Sequence, residues 1–329
     1  MKERIEDEFK KIDTLLQDAG FALTMAAALE AAYRDNMGQP TTAFINAAEQ
    51  NSVIIKSVKE EKIATNLAGF YALECGLCTL VAQTNEAPVS LLEKIVSRNI
   101  DATDLFLLMR FANTTWKAGQ PFRELNRITR ENFIAASHLS EEDIEKDKVQ
   151  IINAATKLLA SMKEVAQQDV QAQMEKLRTL LQDTNYAIEI AAWLHDCYYT
   201  GQNQEPPPFL TPDDDIATIT KLVKEIKIAT SIAGFYGLEG GVNFFVSSKK
   251  ILPSVILRSL VNNSISREDE MLFARFANAA WKAGQPFIDL SRISRDTFTP
   301  FYFLSEADIK KDLAQLKKAA EVVLTQLEQ

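Results

Sequence analysis

Apolar side chains recur at helical spacing along nearly the whole chain. Between Lys2 and Asp35, residues Ile5, Phe9, Ile12, Leu16, Leu23, Ala26 and Tyr33 follow a period near 3.6, and between Val170 and Tyr199 so do Met174, Leu177, Leu181, Ile188 and Leu194. A second helix is expected through the segment KIAT, to about Val81 and again to about Val246. Pro88 and Pro253 each open a short third helix, at a first-turn position where proline is tolerated. The fourth starts at Asp101 or Ser266, each followed three residues on by an acid, and should end in the segment WKAGQPF, with lysine in the last turn, glycine just past it and proline beyond. The fifth begins at Ser140 and Ser305, with Asp143 and Asp308 at the capping-box position. Strand signals are nearly absent, so the expected class is all-α.

Every one of these features occurs twice, 165 residues apart. KIATNLAGFYALECG from Lys62 lines up with KIATSIAGFYGLEGG from Lys227, RFANTTWKAGQPF from Arg110 with RFANAAWKAGQPF from Arg275, and LSEEDIEKD from Leu139 with LSEADIKKD from Leu304. Nearly half the positions between Lys62 and Leu159 are identical at this constant offset. The period is far longer than the roughly 20–50 residues of solenoid units, so the expectation is a pair of domains, 1–165 and 166–329. About five helices in each copy, related by a pseudo-two-fold axis, would mimic a symmetric dimer within one chain. No glycine or proline lies between Ser140 and Thr200, so the fifth helix of one copy could run into the first of the next, with QQDVQAQ at Gln167–Gln173 the favoured bend. The loop before the second KIAT helix, GQNQEPPPFLTPDDD, is polar, and there Thr211 can cap and Pro212 can sit at the first helical position.

Composition narrows the function. The net charge of −9 is shared almost evenly by the two halves, and neither is basic, which disfavours nucleic acid and anionic membrane as partners. Three cysteines are too few for a disulfide framework, the charged start MKERIEDEFKK is not a signal peptide, and the most apolar runs are broken by Glu74 and Glu239. A cytoplasmic protein without cofactor or metal is expected. The two histidines, His138 and His195, face Phe303 and Glu30 in the other copy, so no site common to both halves uses histidine. Cys75 and Cys78 form a CxxC that the other copy replaces with Gly240 and Asn243, and a zinc site would need further ligands nearby.

Two features carry candidate chemistry. Ala64, Ala68, Ala72 and Gly76, matched by Ala229, Ala233, Gly237 and Gly241, form a stripe of small residues suited to close helix packing, with Glu74 and Glu239 in its midst. A carboxylate there must be paired or protonated if buried, and Arg110 or Arg275 is the expected partner. The fourth helix adds Arg110, Asn113 and Lys117 on one stripe, matched by Arg275, Asn278 and Lys282. The following segment supplies Gln120, Arg127 and Arg130, matched by Gln285, Arg292 and Arg295. Arginine forks suit carboxylate or phosphate, which makes this set the candidate ligand site. The competing reading is a solvated helix face whose arginines pair with Glu124, Glu131, Asp289 and Asp296. Trp116, Trp281, Phe122 and Phe287 read as core anchors beside the turn. No nucleophile or catalytic motif stands out. The leading expectation is a helical binding or scaffold protein for a protein partner or a small anionic ligand, its internal pseudo-dimer leaving it free to be monomeric. The alternative is an enzyme or anion-binding protein built on the Arg/Asn/Lys stripe and the two glutamates.

Overall fold

A computed structural model describes residues 40, 53–162, 205–208 and 218–328. The expected first helix of each copy, the connector at Gln167–Gln173 and the capping pair Thr211 and Pro212 lie outside the described residues. Within them the fold is all-α, with eight α-helices and a single two-stranded ribbon. Strand β1 (Val53–Ser57) leads into α1 (Val58–Thr84), α2 (Pro88–Val96), α3 (Ala102–Arg123) and α4 (Glu141–Met162). Strand β2 (Thr218–Leu222) leads into α5 (Val223–Lys249), α6 (Pro253–Val261), α7 (Arg267–Ile288) and α8 (Glu306–Glu328). The ribbon departs from the strand-free expectation. VIIKS and TITKL are rich in β-branched residues, and they pair antiparallel with each other across the two halves.

Helices α1 and α5 have apolar residues all round, and such helices are buried on every side. Ala64–Thr84 is long and apolar enough to cross a membrane, and most of it is packed inside the bundle. The amphipathic helices α2, α4, α6 and α8 cover this centre. The capping signals act as read. Ser140 Oγ accepts from Asp143 N at 3.1 Å and Ser305 Oγ from Asp308 N at 3.2 Å, while Asp101 caps α3 through Thr103 N at 2.7 Å. Helices α1, α2, α5 and α6 each end on a left-handed residue, Asn85, Arg98, Lys250 or Asn263.

The fourth-helix ending needs correction. Helices α3 and α7 do not stop at the glycine but continue through Gly119–Pro121 and Gly284–Pro286, with a proline in the last turn. The glycines serve packing instead. A Cβ on Gly119 would lie 2.9 Å from the Phe287 ring and one on Gly284 2.5 Å from the Phe122 ring.

Those contacts join opposite halves, as do most of the central ones. The main core cluster is drawn from both, and so is a smaller one of Ala64, Phe122, Ile226, Ala229 and Phe287. Positions 165 residues apart face each other directly in three places: Ile55 pairs with Thr220 in the ribbon, Phe111 stacks on Phe276 at 4.1 Å, and Phe122 stacks on Phe287 at 5.7 Å. Other contacts occur in reciprocal pairs. Tyr71 meets the edge of Phe298 at 5.2 Å, and Tyr236 meets Phe133 at 5.3 Å.

The small-residue stripe lies in the core, and its glycines pack on α3 and α7. A Cβ on Gly76 would strike Leu108 and one on Gly241 would strike Phe273, while Gly237 lies against the backbone of Ala277, at 2.6 Å from its Cα. Here the close approach itself requires glycine.

Candidate functional site

The fourth-helix stripe is not a solvated face. Arg110, Asn113, Lys117 and Gln120 on α3 and Arg275, Asn278, Lys282 and Gln285 on α7 are all buried. The i, i+3, i+7 spacing puts them on one stripe, from which the lysines reach the glutamates that α1 and α5 carry in the other half.

The expected arginine partners for those glutamates are replaced by lysines from the opposite copy. Lys282 Nζ lies 2.5 Å from Glu74 Oε2, and Lys117 Nζ lies 2.7 Å from Glu239 Oε2. All four side chains are at most 1% exposed. The remaining carboxylate oxygen is also satisfied. Phe301 N donates to Glu74 Oε1 and Ala136 N to Glu239 Oε1, both at 2.9 Å. Glu74 additionally accepts from Cys75 Sγ and Cys78 Sγ at 3.2 Å. Burial, and then the Glu74 charge, push both thiols well above the usual range, so they are donors rather than nucleophiles. Burial works against the Lys282 ammonium, but the ion pair with Glu74 outweighs it and holds its proton more firmly than in water.

The arginines are freed from ion pairing by this arrangement. Arg110 lies over the Phe106 ring at 4.5 Å and Arg275 over the Phe301 ring at 5.1 Å, a cation–π geometry. Burial lowers the affinity of both guanidiniums for their protons. Arg127 and Arg292, half-buried, donate to Gln120 Oε1 at 3.3 Å and Gln285 Oε1 at 2.9 Å, whereas Arg130 and Arg295 are exposed. The predicted set therefore splits. Glutamates, lysines, asparagines and the first arginines gather in the core, while the last arginines stay outside it.

Two half-buried aspartates border this constellation. Asp147 on α4 and Asp312 on α8 face the asparagines, with Asn278 Nδ2 3.5 Å from Asp312 Oδ2. Desolvation pushes both carboxyls up to about 7, against the opposing pull of Arg110 and Lys117 on Asp147 and of the Asn278 hydrogen bond on Asp312. Their signal was present in the motif LSE-x-DI-x-KD, where both copies keep the final aspartate one turn beyond the capping acid. Asn243 and Thr114, also buried, were legible only as departures from the repeat. Among the described residues no group of three or more His, Cys, Asp or Glu is arranged to hold a metal.

No protein-family model, curated protein or solved structure is significantly similar to the chain.

Proposed function

We propose that this chain is a symmetric helical homodimer fused into one polypeptide, its halves 1–165 and 166–329 being copies of one domain related by a pseudo-two-fold axis. It works in the cytoplasm as a helical binding or scaffold protein. The observation that carries this reading is the reciprocal pair of buried bridges, Lys117 with Glu239 and Lys282 with Glu74. In an isologous interface, if residue i meets j then j meets i, and here the relation holds under the 165-residue offset. The self-facing pairs Ile55 with Thr220, Phe111 with Phe276 and Phe122 with Phe287 are what an axis would require.

The same bridges argue against catalysis by the glutamates. Each carboxylate is closed off from solvent and already accepts a lysine and a backbone N–H, which leaves no face for a substrate. Charges so placed specify which helix meets which, while binding falls to the outer surface.

Two measurements test the proposal with the full-length chain. Light scattering should give the mass of one 36.8 kDa chain, since the isologous surface is already satisfied internally. Photo-cross-linking at surface positions in cells should repeatedly capture the same protein partner. A chain that cross-links to nothing and converts a small molecule, losing that conversion on Glu74→Gln or Glu239→Gln with its melting unchanged, would overturn the reading.

A further inference from the structure

Buried polar atoms without a partner among the described residues occur in both halves, Arg275 Nε and Asn278 Oδ1 among them, and six of them lie where α3 crosses α5: Arg110 Nε and Nη1, Asn113 Oδ1, Thr114 Oγ1, and both amide atoms of Asn243. None of these four residues is more than 4% exposed. The two helices run antiparallel here. Lys117 meets Glu239, the Thr114 hydroxyl lies against Gly240, and Phe106 packs 6.2 Å from Phe244. One turn from the Thr114–Gly240 contact in the same direction, Arg110 and Asn243 therefore come level.

A guanidinium and an amide are complementary, yet neither bonds to the other. Leaving such groups without a partner in the interior is costly, and a polar group from outside the chain would relieve that cost. Charge selects the kind of group. Glu239 is committed to Lys117 and Ala136 N, and among the described residues no carboxylate lies within ion-pair distance of Arg110. Asp147, facing the site from α4, is only partly charged near neutrality because desolvation pushes its carboxyl up to about 7. Arg110 is thus a buried cation short of a full counter-charge, and a buried cation without one is costly.

We propose that the α3–α5 crossing binds a small monoanion of the carboxylate class, held by Arg110, Thr114 and Asn243. Its two oxygens would accept from the guanidinium, from the Asn243 amide and from the Thr114 hydroxyl. The molecule carries its own control. The equivalent crossing of α7 and α1 has Ala279 for Thr114 and Cys78 for Asn243, so it lacks both neutral donors. One site per chain follows, not two. The inference stands apart from the fused-dimer reading, whose failure in light scattering would leave it untouched.

The test is equilibrium dialysis of the full-length chain against radiolabelled formate and acetate at constant ionic strength. One equivalent should bind saturably. A Thr114→Ala/Asn243→Cys variant, copying the other crossing, should bind at least tenfold more weakly while keeping the wild-type circular dichroism. If that variant does not fold, Thr114→Ala alone supplies the comparison, with a severalfold loss expected. Absence of saturable binding, two equivalents per chain, or unchanged affinity in the folded variant would each overturn the proposal.

Discussion

Removing one member of a buried bridge tests the central packing most directly. Lys282→Met keeps most of the apolar stem but deletes the ammonium 2.5 Å from Glu74. Glu74 would keep its hydrogen bonds from Phe301 N and the two thiols, but those are neutral donors. Breaking a buried pair in this way costs about 3–5 kcal/mol, because one charge is left uncompensated. An unfolding entropy of about 2.1 cal/mol/K per residue gives a 329-residue chain roughly 0.7 kcal/mol/K, so Tm should fall by about 4–7 °C. Replacing both partners, Glu74→Leu with Lys282→Met, removes the desolvation cost along with the attraction. That double variant should recover to near the wild-type Tm or above it. Scanning calorimetry on the two variants, with Lys117→Met and Glu239→Leu as the equivalent cycle, measures the coupling. A single variant melting within 1 °C of wild type would refute the reasoning, as would a double variant melting no higher than the single.

Asp147 and Asp312 predict a pH effect of definite sign. Each is pushed up to about 7 from 3.8, so the folded state holds a proton that the unfolded chain has released, and stability falls as pH rises from about 4 to about 7. Asp147→Asn/Asp312→Asn should therefore gain stability relative to wild type across that window and run parallel to it above; parallel curves below pH 7 would contradict the shift. Gly237→Ala would put a Cβ 2.6 Å from the Ala277 Cα, and because backbone cannot step aside it should cost about 1–3 kcal/mol in denaturant melts. Gly240→Ala would place a Cβ 2.0 Å from the Thr114 hydroxyl, and Thr114→Ala should rescue it. Lys250→Gly, relieving a left-handed lysine at φ 56°, should raise stability by up to about 1 kcal/mol.

Helix positions were legible because their signals are local. The prolines at Pro88 and Pro253, the capping boxes at Ser140 and Ser305, and the apolar runs of α1 and α5 all lie within a turn or two of the structure they specify. The partner of Glu74 was not legible, because Lys282 is 208 residues away and nothing near either residue encodes the meeting. Gly119 misled for a related reason. Its sequence context reads as a helix end, whereas the residue that requires it, Phe287, belongs to the opposite half. Arg110, Asn113 and Lys117 do share one setting, but it is the core rather than the solvent that their charge alone suggests. The signal that could have corrected this is the match between halves. Side chains on a solvated face are free to diverge, and these are identical in both copies.

Where the halves differ inside the core, the differences compensate. Thr114 meets Gly240, whereas the positions 165 residues away hold Ala279 and Cys75, so each crossing has one larger and one smaller side chain. A homodimer cannot do this, because each position must serve both sides of its axis. Two first halves pairing with each other would bring Cys75 to the place of Gly240, with its Cβ at about the 2.0 Å from Thr114 Oγ1 that a Cβ on Gly240 would have. Two second halves would set Ala279 against Gly240 and leave a gap, which is costly in a close-packed interior. If the chain is the fused homodimer proposed above, fusion does more than hold the copies together. It lets the interface become complementary between unlike surfaces, so that each first half is matched to a second half and mismatched to another of its own kind. The Gly240→Ala variant and its rescue by Thr114→Ala read out that complementarity directly.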